Sequence, residues 1–227
     1  MSQDSMKKKA AFKAAEWVEN HMIVGLGTGS TVFYFIEKLI ERCKNGLHIQ
    51  AVSSSDKSSR QAAEGGIHLL DINTITTIDM TFDGADEIDS QKKMIKGGGG
   101  ALLREKILAD SSQEMVVMVD ETKIVTNLGQ KAKLPLEILP FAYLATEKKI
   151  KNLGYAGEFR KTMNHLLYFT DNGNLIFDIT FDAPRKNPEE DHALLIQIPG
   201  VLETGFFFNL AGRVIIGLSD GNLKILP

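Results

Sequence analysis

The chain has 227 residues, of which 43% are hydrophobic and 24% charged, a mixture typical of globular proteins and unlike that of disordered chains or coiled coils. A formal net charge of −3 provides no overall positive field for nucleic acid, and the longest apolar runs are too short to span a membrane. The single cysteine, Cys43, excludes an internal disulfide and a cysteine-rich zinc site. Because the N-terminal segment lacks an apolar signal core, we expect a cytoplasmic protein. We expect neither a membrane nor a nucleic-acid partner.

Short apolar runs alternate with helical spacing through the first half of the chain. The pattern predicts, in order, a helix over 8–20, a strand over 22–26, a helix over 30–42, a strand over 48–52, a helix over 55–64, strands over 67–70 and 78–82, a helix over 101–109 and a strand over 115–119. Continuously apolar strands are buried on both faces. This order therefore predicts an α/β fold with a mostly parallel sheet and helices on both faces.

The alternation of predicted strands and helices changes after about residue 128. A strand over 134–139, a helix over 141–153, a hairpin of strands 166–170 and 175–179 around Asn172-Gly173, and a helix over 188–197 predict a small α+β domain. The last stretch, 213–226, contains a second hairpin signal, and we expect it to return to the main sheet. The predicted domains are 1–127 plus 204–227 for the main domain and 128–203 for the small one.

Polar clusters follow four of the predicted strands. They occupy residues 25–31, 53–56, 83–87 and 120–123. Because the carboxyl ends of parallel strands share one edge of a sheet, these clusters should converge there, where α/β sheets bind ligands.

The cluster at 25–31 lies between a strand and a helix and is rich in glycine and hydroxyl side chains. Glycines let the backbone approach an anion, and the amides at a helix start point toward it, so a single small phosphate fits this loop; a tight turn with a Ser or Thr cap is the alternative. A dinucleotide motif would need a glycine where Ser30 stands, and no Walker A lysine follows. The serines of 53–56 are interpreted either as helix caps or as a hydroxyl wall of the pocket.

Four carboxylates occur within seven residues at the end of the strand over 78–82: Asp83, Asp86, Glu87 and Asp89. A solvated acidic loop, a Mg²⁺ or Mn²⁺ site, and hydrogen bonding to sugar hydroxyls with proton transfer are all open interpretations.

Four glycines after Lys96 form either a flexible linker or a backbone pressed against a ligand. In the helix that follows, Leu103 and Ile107 are predicted to be a buried pair, and Glu105 then faces away from them, toward a crevice or toward solvent. Lys96 and Lys123 are cations at the same predicted edge, where one could neutralise a phosphate and the other a developing oxyanion.

At these residues the sequence closely resembles A-type ribose-5-phosphate isomerase. The resemblance rests on VGLGTGST at 24–31, AVSSSD at 51–56, DGADEID at 83–89, IKGGGGALLREKI at 95–107 and DETK at 120–123, and it continues in order along essentially the whole chain.

The resemblance implies reversible conversion of D-ribose 5-phosphate to D-ribulose 5-phosphate in the pentose phosphate pathway, without a cofactor or a metal. It implies a Rossmann-like main domain, a small α+β domain and a homo-oligomer, either a dimer or a tetramer. A small-molecule sugar phosphate is the expected partner.

The resemblance also implies roles for individual residues. Glu105 is the base that moves a proton between C1 and C2, while Asp83, Asp86 and Lys96 line the sugar and assist ring opening and polarisation. The substrate-binding residues that it implies are Thr28, Gly29, Ser30, Thr31, Asp83, Gly84, Ala85, Asp86, Lys96, Gly97, Gly98, Gly99 and Lys123.

Three other functions remain possible at this point: a sugar-phosphate deaminase, a CoA transferase that forms a thioester on a glutamate, and a non-catalytic sugar-phosphate sensor. Ammonia release would identify the first and acyl-CoA labelling the second. The third normally carries a helix-turn-helix, for which the short segment before the first strand leaves little room.

Overall fold

A computed structural model describes residues 1–227. The helices are α1 (Gln3–Ala15), α2 (Ser30–Lys44), α3 (Asp56–Glu64), α4 (Leu102–Asp110), α5 (Tyr143–Asn152) and α6 (Pro188–Leu195). The strands are β1 (Ile23–Leu26), β2 (Gln50–Ser53), β3 (His68–Leu69), β4 (Ile78–Asp83), β5 (Glu87–Ile88), β6 (Met94–Ile95), β7 (Ser112–Asp120), β8 (Leu134–Ile138), β9 (Gly157–Phe159), β10 (Leu175–Ile179), β11 (Val201–Thr204), β12 (Phe206–Phe207), β13 (Ala211–Gly217) and β14 (Leu223–Leu226).

The chain divides into two compact units. The first comprises Met1–Ala85, Arg104–Lys123 and Leu210–Pro227, and the second comprises Asp86–Leu103 and Ile124–Asn209. No helix is both long enough and apolar enough to cross a membrane.

The first unit is built on a seven-stranded sheet with the order β14-β13-β7-β4-β1-β2-β3. Every neighbouring pair is parallel except β13 and β14, which form an antiparallel hairpin at one edge. The predicted mostly parallel sheet is confirmed, and so is the return of the C-terminal segment to it.

Helices cover both faces of this sheet. On one face Phe35 of α2 stacks on Phe82 of β4, with ring centroids 4.4 Å apart, in a core that also contains Ala51. The next residue, Val52, points to the opposite face and packs with Leu108 of α4. Because side chains alternate along β2 between two cores, its two central residues, Ala51 and Val52, are both apolar.

The first helix begins earlier than its apolar spacing predicts. Ser2 caps it by accepting a hydrogen bond from the amide of Ser5 at 3.2 Å, so α1 starts at Gln3 and ends at Ala15. The Ser-x-x-Ser cap was the signal for this start, and the weak apolar pattern before residue 8 concealed it.

The second unit contains a four-stranded antiparallel sheet, ordered β11-β8-β10-β9, and a three-stranded sheet, ordered β12-β6-β5. Residues 86–103, 124–127 and 204–209 were predicted to lie in the main domain, whereas they belong to the second compact unit. The reason is strand pairing: β6 pairs with β5 and β12, and Ile95 and Phe206 belong to the same core as β8 and β10.

One predicted hairpin arm in this unit is not a regular strand. Residues 166–170 form only isolated bridges, Lys161 with Leu167 and Phe169 with Leu175, and Leu166 is 67% exposed. The turn itself is present, because the Thr170 amide donates to the Asn174 carbonyl at 2.8 Å. Strand β9, which the sequence analysis missed, takes the place beside β10, with only three residues to signal it.

Candidate functional site

Four strands of the first unit end at the same edge of the sheet. Leu26 at the end of β1 is aligned with Ser53 of β2 and with Phe82 of β4, and Asp83 is aligned with Val117 of β7. The polar clusters that follow these strands therefore start from one edge, as the sequence analysis expects of a parallel sheet.

Asp83 ties together two of the loops at this edge. It is the last residue of β4 and is fully buried, and its Oδ1 accepts hydrogen bonds from the amides of Thr28 at 3.1 Å and Gly84 at 2.7 Å. Glycine is required at position 27, because a Cβ there would lie 2.6 Å from the Cβ of Asp83. The carboxylate thus fixes where the chain leaves β1 and where it leaves β4.

The start of α2 is suited to an anion. Gly29, with φ of 113°, precedes the helix and offers no side-chain cap, and the first turn contains no acidic residue. Ser30 is exposed at this end, whereas Thr31 is buried, with its Cβ about 4.0 Å from where a Cβ on Gly84 would lie. Uncapped amides and the positive end of the helix dipole favour a phosphate here.

The serines at 53–56 serve both as caps and as part of a hydroxyl network. Ser55 caps α3 by accepting from the Ser58 amide at 3.3 Å, and Ser58 in turn donates to the Gly27 carbonyl at 2.8 Å. The hydroxyls of Ser54 and Thr28 are hydrogen-bonded at 2.8 Å. The predicted cap is present at Ser55, whereas Ser58, inside α3, is a support of this loop that the sequence did not predict.

Glu105 lies in the first turn of α4 and is only 3% exposed. Its helix face also carries Leu108 and Ala109, at 2% and 4% exposure. The predicted buried pair was wrong, because Ile107 is 49% exposed and Leu103 is only half-buried. Helical spacing fits more than one face of α4, and packing against the sheet selected the face of Glu105.

Lys123 closes a short 3₁₀ turn, Glu121–Lys123, directly after β7. Its side chain is half-buried. The turn is held by Asp120, which accepts from the Thr122 amide at 3.0 Å and from the Gln3 side chain at 3.2 Å. A lysine is therefore placed beyond the carboxyl end of β7, where a phosphate could be neutralised.

The remaining predicted site residues lie in the second unit. Asp86 accepts from the Gly98 amide at 2.7 Å, and its own amide donates to the Ile95 carbonyl at 2.8 Å. Lys96 is 2% exposed, and its Nζ lies 5.4 Å from the ring centroid of Phe207. Asp86 and Lys96 are thus both anchored to the segment that contains residues 97–99, here named the glycine loop.

Two of the four clustered carboxylates have structural partners. Glu87 is fully buried and accepts from the amides of Gly129 at 2.6 Å and Ala132 at 2.7 Å, and from that of Lys131. Asp89 accepts from the amides of Gln91 and Lys93, both at 2.9 Å. Asp83 and Asp86 also accept backbone amides, and sugar binding by these two residues stays a prediction. No group of three or more His, Cys, Asp or Glu residues is arranged to hold a metal ion.

Comparisons with known proteins agree on one family. A family model described as ribose 5-phosphate isomerase A (phosphoriboisomerase A) matches residues 50–221. The ribose-5-phosphate isomerase A of Protochlamydia amoebophila is 56% identical over 97% of this chain and 94% of its own, and that of Listeria innocua is 46% identical over 98% of each.

Solved structures give the same result. A D-ribose-5-phosphate isomerase in complex with phospho-erythronic acid is 38% identical, with a TM-score of 0.94 over 100% of this chain and 99% of its own. The ribose 5-phosphate isomerase of Plasmodium falciparum is likewise 38% identical, with a TM-score of 0.94 over 98% of each chain.

Proposed function

The chain belongs to the ribose 5-phosphate isomerase A family, and from this premise we propose that it interconverts D-ribose 5-phosphate and D-ribulose 5-phosphate through a cis-enediolate. The observation that carries the proposal is a buried carboxylate, Glu105, in the same unit as the uncapped start of α2. An aldose–ketose exchange of a sugar phosphate needs those two things, a base for a carbon-bound proton and a site for a phosphate.

Glu105 is proposed as the base. In the forward direction its carboxylate removes the proton from C2 of the open-chain aldose, and the electron pair left on carbon forms the enediolate as the C1 carbonyl takes up negative charge. A proton passes from O2 to O1 of the enediolate, and return of the carbon-bound proton to C1 as the C2–O2 bond becomes a carbonyl gives the ketose, so the carboxylate is regenerated in each turnover.

The start of α2 and Lys123 are proposed to bind the phosphate. The amides and hydroxyls of Gly29, Ser30 and Thr31 donate to its oxygens, and Lys123 neutralises its charge. Fixing the phosphate supplies binding energy that holds the distant reacting carbons in register.

Asp83, Asp86 and Lys96 are proposed to act on the sugar itself. The two carboxylates accept hydrogen bonds from its hydroxyls and assist ring opening, and Lys96 stabilises the negative charge that develops on the enediolate oxygens. We propose that backbone groups also contact the sugar, namely those of Gly84, Ala85, Gly97, Gly98 and Gly99.

The ligand of one solved relative supports this assignment. Phospho-erythronic acid, bound to that protein, carries a carboxylate at one end and a phosphate at the other. A carboxylate resembles the planar, negatively charged enediolate, so a site that binds this molecule is complementary to the proposed intermediate.

We further propose that the chain acts in the cytoplasm as a homo-oligomer, a dimer or a tetramer. Large apolar side chains are exposed in the second unit, among them Phe141 at 83%, Leu144 at 62% and Met163 at 98%. Exposed apolar groups of this size are typical of surfaces that pair with another copy. Light scattering after size exclusion tests this proposal, and a mass of one chain at micromolar concentration would refute it.

The experiment that tests the activity is direct. Purified protein, treated with EDTA and then freed of it, is mixed with ribose 5-phosphate, and ketose formation is followed by absorbance. We expect turnover without added metal or nucleotide. Absence of ketose, or release of ammonia from an amino-sugar phosphate in its place, would refute the assignment.

A further inference from the structure

The carbonyl groups of the glycine loop face one arginine. Nη1 of Arg160 donates to the carbonyl of Gly97 at 3.1 Å and to that of Gly98 at 3.0 Å. The hydroxyl of Tyr168 approaches the next carbonyl, that of Gly99, at 3.4 Å. Three consecutive backbone acceptors of the loop are therefore directed toward side chains of the same unit.

Arg160 is itself rigidly held. Its Nε and Nη2 donate to the two carboxylate oxygens of Asp178 on β10, at 2.8 and 2.6 Å, and both side chains are largely buried. Its guanidinium lies 5.8 Å from the ring centroid of Tyr168. A planar guanidinium that forms a bidentate salt bridge with one carboxylate has little rotational freedom, so Nη1 is preorganised to donate to the loop carbonyls.

The glycine loop needs such an external support. Gly97 has φ of 101°, a Cβ on Gly98 would lie 2.7 Å from Oδ1 of Asp86, and one on Gly100 would lie 2.7 Å from Cε1 of Tyr168. Glycine is thus favoured at positions 97 and 98 of the loop and at the adjoining position 100, and the loop contains no side chains of its own to fix it. Ordering so flexible a backbone requires hydrogen bonds from outside it.

We propose that Arg160, fixed by Asp178, is a positioning residue for the isomerisation. It holds the carbonyls of Gly97 and Gly98 on one side of the loop, so that the adjoining Lys96 and the Asp86 carboxylate bound to the Gly98 amide keep their orientation. This inference rests on the proposed function, because it assigns Arg160 a part in the same reaction without contact to the substrate.

The chain offers a closely matched control. Arg185 also forms a bidentate salt bridge, in which its Nε and Nη2 donate to the two carboxylate oxygens of Asp191, both at 2.7 Å. Its guanidinium also lies over an aromatic ring, 5.0 Å from the centroid of Phe181. Its side chain does not contact the glycine loop. Arg185→Ala therefore loses an ion pair similar to that of Arg160 but no hydrogen bond to the loop.

The test compares Arg160→Ala, Arg160→Lys and Arg185→Ala with the wild type in the ribose 5-phosphate assay. We expect kcat/KM of Arg160→Ala to fall by roughly 10- to 100-fold, the cost of a small misplacement of reacting groups, and that of Arg185→Ala to stay within about 3-fold of wild type. Arg160→Lys should lose about 10-fold, since lysine cannot serve Asp178 and the two carbonyls together. Guanidinium ion, at concentrations that leave the wild type folded, should partly restore Arg160→Ala and leave Arg185→Ala unchanged.

Other outcomes are equally informative. If Arg160→Ala does not fold, Arg160→Lys decides the matter, and wild-type kcat/KM in a folded Arg160→Lys overturns the proposal. Equal activity of Arg160→Ala and Arg185→Ala also overturns it. A wild type without isomerase activity refutes the proposed function instead. In that case faster hydrogen exchange of the amides of residues 98–100 in Arg160→Ala than in Arg185→Ala still supports the positioning of the loop, and equal exchange overturns it.

Discussion

Three buried carboxylates of the second unit are held by side chains, whereas Asp83 of the first unit is held by backbone amides. In the second unit Asp178 and Asp191 are each bound by two nitrogens of an arginine, and Glu137 receives three side-chain donors on a single oxygen. In the first unit Asp83 accepts two backbone amides, one from each of two loops that follow strands. The first arrangement joins side chains within the unit, whereas the second organises the end of a parallel sheet.

We infer from this difference which acids are available for chemistry. A carboxylate saturated by charged or amide side chains is committed to the fold, because removing its partners would leave an unpaired buried charge. An acid at the carboxyl end of parallel strands stands where α/β folds bind ligands. Asp83 belongs to this second group by position, and Glu105, in the first turn of α4, is the proposed base; the following changes test the distinction.

The largest effect is expected for Glu105→Gln. It removes the proposed base and keeps the size of the side chain, so kcat should fall by at least ~100-fold with a much smaller change in KM. Asp110→Asn, at the exposed end of the same helix, is the control and should retain activity. A near-normal kcat for Glu105→Gln would assign the base to another residue.

Gly27→Ala should have the next largest effect. The new methyl group would overlap Asp83, so we expect a loss of about 1–3 kcal/mol of stability together with a strong fall in kcat/KM. Gly66→Ala is the control, since Gly66 has φ of 86° with no atom within 4 Å of an added Cβ. It should lose about 1 kcal/mol to backbone strain and keep its activity. If both variants were equally active, the function of Asp83 would not depend on the close approach of the turn at Gly27.

Thr170→Val tests the structural role of Glu137, a buried carboxylate of the second unit that is bound by side chains. The Thr170 hydroxyl donates to Glu137 at 3.1 Å and accepts from the amides of Asn172 and Asn174, both at 3.2 Å. Because the isosteric valine removes one of the three donors to Glu137 and the hydroxyl oxygen to which both amides donate, thermal unfolding should show a loss of about 1–3 kcal/mol.

The matched substitution is Thr162→Val, at an exposed hydroxyl whose contact with the Leu166 carbonyl is 3.4 Å. It should change stability by less than about 0.5 kcal/mol. Equal stability of the two valine variants would contradict a structural role for the cluster around Glu137.

The smallest effect is expected at alkaline pH, at Tyr155. Burial raises the pKa of this phenol above its ordinary value of 10.0, and the hydrogen bond that it donates to Asp191 raises it further. The folded protein therefore holds this proton more tightly than the unfolded chain, so the stability that it contributes is complete below about pH 10 and is lost as the pH rises above that value. Urea unfolding should show a shallower alkaline loss for Tyr155→Phe than for the wild type, and equal slopes would contradict this.

Local sequence determined the alternation of elements and the positions of the special turns. Apolar runs such as Met115–Val119 can be buried only in a sheet that is covered on both faces, so the parallel architecture followed from composition and order. Glycine at positions 27 and 29 likewise marked a turn that must approach an acid or an anion closely. These features depend on neighbours along the chain, which is why they can be predicted.

Tertiary structure alone decided which acids are committed to the fold and which face of α4 is buried. Glu87 and Asp83 belong to the same acidic motif, but the Gly129 amide that Glu87 binds lies 42 residues away in the chain, and no local pattern signals such a contact. Helix α4 carries apolar residues on more than one face, so spacing could not choose between burying Ile107 and burying Glu105. Packing against the sheet made that choice, because the free energy of burial depends on the whole surface that a helix covers and not on its own sequence.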